Sequence, residues 1–286
     1  MSQQDREILD GCTSSACYWE KHRDIIRRMF LPVSEALIED AEIAPGHAVL
    51  DVATGSGEPA LRIADRVGSN GAVVGIDPAA GMIEASRRAA ERLSLHHARF
   101  EVAAADRLPF PDERFDAVVS RFGIMFFPSP VGAAHEMLRV LKRGQKIAFA
   151  VWHFRDHNPF HDVLARIVDA VVPPAELPPD APEPFRFAAP GKLHAIVAAA
   201  GAAHPVERLV RFSIDVPLSP EEFWGFRLEM AEKLRERLAT LPPDRLEDVK
   251  RRSIAAFQPY SRANGLSFPA EVLLVSARKH RPGSSG

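Results

Sequence analysis

The sequence predicts an α/β protein with a doubly wound, mostly parallel sheet, and three observations lead to that prediction. Short apolar runs alternate with amphipathic stretches over residues 45–152, as expected for strand–helix–strand units. A turn with two glycines follows the first apolar run, where a tight connection from strand to helix is needed. Two later stretches, 208–216 and 271–278, regain strand character. Together they predict a seven-stranded sheet with a helical insertion between the two late strands.

The regular half of the chain opens with a helix predicted over residues 20–42, in which Pro32 bends or restarts the helix. Five strands are predicted after it, from their regular alternation with helices; they cover 48–52, 73–77, 99–103, 116–120 and 146–152. The helices predicted between them cover 58–67, 79–95 and 131–141. Parallel strands joined in this way are covered by helices on both faces of the sheet.

The second half of the chain is less regular. Seven prolines within residues 173–190 exclude regular structure and predict an extended linker or lid. A helix over 192–200 precedes the strand at 208–216, and two helices over 219–258 are separated at Pro242-Pro243.

These elements predict five segments. They are an N-terminal helical cap (1–44), a ligand-binding core (45–152), a lid or substrate-binding insertion that includes a core strand (153–265), a last core strand (266–280) and a tail (281–286).

The composition limits the partners that we expect. A formal net charge of −2 gives no general attraction to phosphate backbones, so no nucleic acid partner is predicted. The N-terminus lacks a signal sequence, and no apolar run approaches the roughly 20 residues that span a bilayer. We therefore expect no membrane partner and a cytoplasmic location. Cys12 and Cys17 are too few for a disulfide framework or a zinc site, and both thiols are expected to be reduced. The oligomeric state stays open.

The most specific local pattern is the glycine turn and the acid that follows it. Gly55 and Gly57 allow a tight turn at a strand end and leave no side chain in the way of a ligand. Asp77 lies twenty residues beyond Gly57 at the end of the second predicted strand. A carboxylate at that position can accept hydrogen bonds from both hydroxyls of a ribose. The combination predicts a ligand that contains a nucleoside.

Two further acids separate this pattern from a dinucleotide site. The glycine spacing also fits an NAD enzyme, but Asp51 lies inside the first strand, where its negative charge would not stabilise a bound pyrophosphate. The same charge would stabilise an ammonium group on the ligand. Asp106 lies just beyond the third strand, where its carboxylate can accept a hydrogen bond from the amino group of adenine.

The chain resembles the class I S-adenosylmethionine-dependent methyltransferases, which share a Rossmann-like fold, and within them the broad type-11 group that includes the ubiquinone/menaquinone C-methyltransferases. The motifs that carry the resemblance are VLDVATGSGEPA (49–60), GIDPAAGMI (75–83), ADRLPFPDERFDAVVSRFGIMFF (105–127) and RVLKRGQKIAFAVW (139–152). They are specific as a set and cover residues 45–152. The family's usual Pro-Gly-Gly turn is Arg143-Gly144-Gln145 here, and its frequent serine after the ribose acid is Ala79. The N-terminal pattern of the ubiquinone branch is absent, which makes a quinone acceptor less favoured.

The resemblance implies S-adenosyl-L-methionine as the cofactor and assigns a role to each part of the site. Around the methionine end and the sulfonium it places Asp51, Ala53, Gly55, Gly57, Ser120, Arg121 and Phe122. Around the ribose and adenine it places Asp77, Pro78, Met82, Ala105, Asp106 and Arg107. In family members an N-terminal helix often closes over the cofactor, which here implies a role for Trp19.

Methyl transfer is an in-line displacement, so the protein mainly supplies alignment, and no metal is expected. If the acceptor needs a base, the candidates are His153 and His157, with Arg121 beside the reacting groups and His161 as a further histidine. The four-residue spacing of the histidines suggests a metal-binding helix face. However, Asn158-Pro159 predicts that a helix begins between them, so the three histidines do not lie on one face of a single helix.

The predicted function is methyl transfer to a small, apolar or aromatic organic acceptor, on oxygen, carbon or nitrogen. Two alternatives stay open at this point. One is an NAD-dependent oxidoreductase on the same fold, and the other is a non-catalytic protein that binds S-adenosylmethionine.

Overall fold

A computed structural model describes residues 16–178 and 180–280. The chain divides into two compact units. The sheet unit contains residues 31–154 and 180–210 with the C-terminal stretch from 271, and the helical unit contains the N-terminal stretch to 30 with residues 155–179 and 211–270. Each unit is described separately below. The division into cap, core and lid that we expected from the sequence stays a prediction.

The strands form one mixed sheet. They are β1 (Ala48–Val52), β2 (Ala72–Asp77), β3 (Ala98–Val102), β4 (Phe115–Arg121), β5 (Leu141–Trp152), β6 (Ala203–Val216), β7 (Ser261–Arg262) and β8 (Gly265–Arg278). The strand order is β3-β2-β1-β4-β5-β8-β6, and the short β7 pairs with β8. The pairs from β3 to β5 are parallel, whereas β5 and β8 are antiparallel. The predicted α/β fold with a mostly parallel sheet is confirmed, with β7 as an addition.

The order of β1 to β5 places a topological switch between β1 and β4. The chain runs outward from β1 through β2 to β3, and then returns to β4 on the other side of β1. In open sheets of this kind the ligand lies outside the carboxyl ends of the strands at such a switch. The apolar sequence of β1 explains its central place, since Val49 and Leu50 are fully buried.

The sheet-unit helices follow the predicted alternation. They are α3 (Ala60–Val67), α4 (Ala80–Arg92), α5 (Pro130–Val140) and α7 (Lys192–Ala199). In α3 the buried residues are Ala60, Leu61, Ile63, Ala64 and Val67. Their spacing forms one apolar stripe, which is what a helix on a sheet needs.

The N-terminal helical region differs from the prediction in where it breaks. Helix α1 (Ala16–Lys21) and helix α2 (Arg23–Asp40) are separated at His22, and α2 continues through Pro32. The predicted restart of the helix at Pro32 was therefore wrong. Cys17 on α1 is disulfide-bonded, so its predicted reduced state was also wrong, because too few cysteines for a framework still allow a single bridge. Cys12 lies outside the described residues.

The helical unit has α6 (Pro159–Asp169), α8 (Pro220–Met230), α9 (Glu232–Ala239) and α10 (Pro243–Phe257). The sequence predicted two helices over 219–258, but three are present. The extra break falls at Ala231, which has an extended backbone. The buried guanidinium of Arg235 donates to the carbonyls of Leu228 and Glu229 at 2.8 and 2.6 Å. Carbonyls left open at the end of α8 are satisfied by this side chain from the following helix rather than by a residue at the break itself.

The proline-rich segment has two parts. The described residues of 173–190 form no helix or strand, as predicted, and residues 173–178 are all exposed. The end of the segment is anchored, however: Phe187 is 2% exposed and Arg186 donates to the Phe127 carbonyl at 2.7 Å. The C-terminal part of the segment is therefore fixed by packing and by a hydrogen bond, which its proline content did not predict. No helix in the described part of the chain is long and apolar enough to cross a membrane.

Candidate cofactor site

Asp51 is the most unusual ionisable group of the sheet unit. It lies on β1 and is fully buried. Its Oδ2 accepts the backbone N–H of Ala60 at 3.1 Å, whereas its Oδ1 has no hydrogen-bond partner among the described residues. Burial raises the pKa of Asp51 from 3.8 to about 7, and the nearby Thr54 hydroxyl and the positive charge of Arg121 oppose the rise only in part. A buried carboxylate oxygen that lacks a donor is a site for a ligand's cation.

The turn after β1 has the conformation that its glycines predicted. Ala53, Gly55 and Gly57 all have positive φ, at 61, 55 and 106°. A Cβ at Gly57 would lie 3.0 Å from the Leu61 Cδ1 atom, so α3 packs closely against the turn. Backbone in this region without side chains allows a ligand to approach the main chain.

Asp77 has a structural role that the sequence did not predict. One carboxylate oxygen accepts the N–H of Gly55 at 3.1 Å, and the other accepts the N–H of Ala79 at 3.0 Å. Burial raises the pKa of Asp77, and the two backbone bonds oppose that rise. The acid thus ties the end of β2 to the glycine turn of β1. Each carboxylate oxygen of Asp77 keeps a second lone pair that can accept a hydrogen bond from a ligand hydroxyl. Pro78, which follows, is exposed, and Met82 on α4 is half-buried.

The segment after β3 carries the residues predicted to face adenine. Asp106 and Arg107 are exposed and Ala105 is half-buried. The segment is held by Arg139 of α5, whose guanidinium donates to the carbonyls of Leu108 and Phe110 at 3.0 and 2.8 Å. The sequence analysis did not identify Arg139, because its partners belong to a loop about 30 residues earlier.

The end of β4 brings together the residues predicted to lie near the sulfonium. Ser120 is fully buried, and its Oγ has no partner in the described part of the chain. Phe122 has a φ of 60° and stacks on Trp152 with the ring centroids 4.4 Å apart. Arg121 is 8% exposed. It donates to Ser34 Oγ at 2.7 Å and to the Glu58 carbonyl at 3.1 Å, so it links α2 to the glycine turn.

The histidines proposed as bases lie in three different elements. His153 follows β5 directly and is buried, and its Nδ1 lies 2.8 Å from Glu271 Oε2 on β8. His157 is exposed in a short 3₁₀ turn (Arg155–His157), and His161 lies on α6. His157 and Trp19 belong to the helical unit. Glu271 was missed by sequence reasoning, because only the antiparallel pairing of β5 and β8 brings it beside His153.

The fold thus brings an acid inside β1, a glycine turn and an acid at the end of β2 to one edge of the sheet, an arrangement that suits a ligand with a nucleoside. Residues 49–144 match a family model described as a methyltransferase domain. The resemblance predicted from the sequence is confirmed for this segment.

Two curated relatives and one solved structure are similar to the chain. The aklanonic acid methyltransferase DauC of Streptomyces sp. strain C5 is 36% identical over 126 residues, which are 44% of this chain and 57% of the relative. The ubiquinone/menaquinone biosynthesis C-methyltransferase UbiE of Xanthomonas oryzae pv. oryzae is 40% identical over 151 residues, 50% of this chain and 58% of the relative. The chain thus spans less than two thirds of the length of both relatives. The YcgJ protein of Bacillus subtilis superposes with a TM-score of 0.57 over 87% of this chain and 98% of its own, at 20% identity, and shows the fold alone.

Proposed function

We propose that the protein transfers a methyl group from S-adenosylmethionine to a small organic acceptor. The observation that carries the proposal is Asp51, a fully buried acid whose negative charge is compensated only in part by its neighbours Thr54 and Arg121. It lies at the start of the segment that matches the methyltransferase model. A ligand with an ammonium group supplies both the missing donor and the missing charge.

The residues present fit this cofactor. Asp51 would hold its ammonium group, the backbone of Gly55 and Gly57 would follow its methionine end, and Asp77 would accept its ribose hydroxyls. When bound, the cofactor supplies a methyl group already activated by a positively charged sulfur. Pro78, Met82, Ala105, Asp106 and Arg107 are proposed around the adenine on the strength of the resemblance.

The chain's own contribution to the chemistry is alignment and, where the acceptor must lose a proton, a base. Of the candidates, His153 is favoured over His157, because Glu271 accepts from its Nδ1. That bond fixes the tautomer whose Nε2 can accept a proton. Arg121 is better explained as a positioning residue than as a catalytic one, since it donates to Ser34 and to the Glu58 carbonyl.

We propose a small aromatic acceptor. The support is that Phe122 and Trp152 form a stacked aromatic pair beside β4, and that the two relatives are named as methyltransferases of aklanonic acid and of ubiquinone/menaquinone biosynthesis. Because the N-terminal pattern of the ubiquinone branch is absent, a quinone itself is the less favoured acceptor. A cytoplasmic location and the absence of a nucleic acid or membrane partner stay predictions.

Thermal denaturation with a panel of cofactors tests the cofactor. S-adenosylmethionine and S-adenosylhomocysteine are expected to raise the melting temperature, whereas NAD and NADP are not. A shift with the nicotinamide cofactors alone would support the oxidoreductase alternative. Transfer of tritium from methyl-labelled S-adenosylmethionine to aromatic acids and hydroquinones then tests turnover, and binding without transfer to any acceptor would favour the non-catalytic alternative.

A further inference from the structure

Loop 104–112, which connects β3 to β4 in the sheet unit, carries the residues assigned to adenine. It contains no helix or strand. Its backbone forms one hydrogen bond within the loop, from the Arg107 N–H to the Ala104 carbonyl at 3.4 Å, and a bond of that length is weak. The positions of Asp106 and Arg107 therefore depend on contacts from outside the loop.

Two residues of α5 supply such contacts. Glu136 Oε2 accepts the backbone N–H of Leu108 at 3.0 Å, and the Arg139 guanidinium donates to the Leu108 carbonyl at 3.0 Å. Arg139 also donates to the Phe110 carbonyl and to Asp112 Oδ1, each at 2.8 Å. Within the described residues no backbone group forms a hydrogen bond with Leu108. Both of its backbone groups are thus satisfied by side chains, in the way that a neighbouring strand would satisfy them.

Glu136 and Arg139 are also bound to each other. They lie three residues apart on α5, where side chains are neighbours, and Arg139 donates to the two carboxylate oxygens of Glu136 at 2.8 and 2.9 Å. The hydrogen bond from Arg139 lowers the pKa of Glu136, so the acid is ionised at neutral pH. Paired bonds of this kind fix the orientation of both groups as well as binding them.

The other contacts of the loop do not fix its direction. At its start, the Ala103 N–H donates to the Asp77 carbonyl at 3.2 Å, which joins the loop to the end of β2. The Leu108 side chain is 4% exposed, so apolar packing holds it close to the sheet, but such packing is non-directional. The bonds from α5 therefore decide how the backbone runs two residues after Asp106.

We propose that Glu136 and Arg139 are positioning residues for adenine recognition, which hold loop 104–112 so that Asp106 can accept a hydrogen bond from the adenine amino group. Neither residue contacts the cofactor itself. A loop that is already ordered binds more tightly, because ordering it does not reduce the free energy of binding. This inference rests on the proposed function, since Asp106 is assigned to adenine there.

The test compares the affinities of S-adenosylhomocysteine and S-inosylhomocysteine, in which a carbonyl replaces the adenine amino group, by calorimetry on the full chain. The wild-type protein is expected to bind S-adenosylhomocysteine about tenfold more tightly, because Asp106 loses its donor in the analogue. Arg139→Met removes the bonds to the loop carbonyls and should reduce this ratio to below about threefold. Most of the change should lie in the affinity for S-adenosylhomocysteine, whereas general damage to the fold would weaken both ligands equally.

Two milder variants decide the question if Arg139→Met does not fold. Glu136→Gln keeps the size of the side chain but places an amide N–H₂ group where one carboxylate oxygen accepts. Arg139→Lys keeps the charge but loses the planar fork. Each should reduce the ratio. Arg143→Met is the matched control: Arg143 is exposed and lies 2.5 Å from Glu113, outside loop 104–112, so its loss should leave the ratio unchanged.

Equal affinity of the wild-type protein for the two ligands would overturn the inference and leave the proposed function intact. An unchanged ratio in the folded variants of Glu136 and Arg139 would also overturn it, even with a lower melting temperature, because the pair would then be purely structural. Binding of neither ligand by the wild-type protein would overturn the proposed function, and the inference with it.

Discussion

Replacing Asp51 by asparagine should stabilise the unliganded protein and weaken cofactor binding at the same time. Burial raises the pKa of Asp51 from 3.8 to about 7. Because a tenfold change in proton affinity corresponds to roughly 1.36 kcal/mol, ionisation of the buried acid lowers the free energy of unfolding by about 4 kcal/mol. Asparagine keeps the size of the side chain and its oxygen but carries no charge. The amide still has to be accommodated, so we expect a gain of about 2–4 kcal/mol at pH 8, or roughly 5–10 °C in melting temperature.

The pH dependence gives the sign of this effect. Since the folded state binds the proton more tightly than the unfolded state, the contribution of Asp51 to stability falls as the pH rises from about 4 to about 7. The Asp51→Asn variant lacks this fall, so the two proteins should differ least at pH 4 and most above pH 7. Binding of an ammonium group favours the ionised acid. The affinity of the wild-type protein for S-adenosylmethionine should therefore decline below about pH 7, by up to about tenfold per unit.

Both effects can be measured on the same samples. Melting temperatures between pH 4 and 9 give the stability difference, and calorimetry at pH 6 and 8 gives the cofactor affinity. Asp65→Asn is the matched control, because the Asp65 side chain on α3 is 54% exposed and its substitution should change neither curve. A variant that is less stable than the wild-type protein at pH 8 would refute the burial argument. Unchanged cofactor affinity would refute the role of Asp51 in the site.

Three further predictions concern the rest of the site. Asp77→Ala should weaken cofactor binding by about 1.5–3 kcal/mol in calorimetry, because it loses charge-assisted bonds to the ribose; affinity equal to that of the wild-type protein would place the ribose elsewhere. Arg121→Met should move the pH below which cofactor binding weakens to a higher value, since the charge of Arg121 lowers the pKa of Asp51. Ser34→Ala, which removes a hydrogen-bond partner but keeps the charge, should not do so, and equal shifts in both variants would contradict this. Exchanging the exposed residues 173–178 for a glycine-serine linker of equal length should spare cofactor binding yet reduce methyl transfer, and full turnover would show that a lid is not needed.

The elements whose signals are local could be predicted from the amino-acid sequence. The apolar run that became β1 was predicted at its observed bounds, residues 48–52, because a buried strand between turn residues needs no distant partner to be recognised. The glycine turn and the acids Asp51 and Asp77 followed from the same reasoning, since their spacing along one strand–turn–helix unit fixes where they lie. Parallel pairing of the first five strands also followed, because strands joined through helices have few topologies.

Interactions between residues far apart in the chain were decided only by the tertiary structure. The hydrogen bond of Arg121 with Ser34 spans 87 residues, and that of His153 with Glu271 spans 118. No local pattern encodes either one. The break at Ala231 is local in the chain but also needed the structure, because the Arg235 guanidinium, rather than a glycine or proline at the break, satisfies the end of α8.

Burial is the other property that required the structure. Asp51 and Arg121 cannot be told from other charged residues in the sequence, because either side chain could be solvated or paired. Only packing removes water from them, and only the positions of all neighbouring groups decide whether a counter-ion is present. The fold class was therefore set by short-range periodicity, whereas the chemistry of both ionisable groups depends on desolvation, which is a property of the assembled structure.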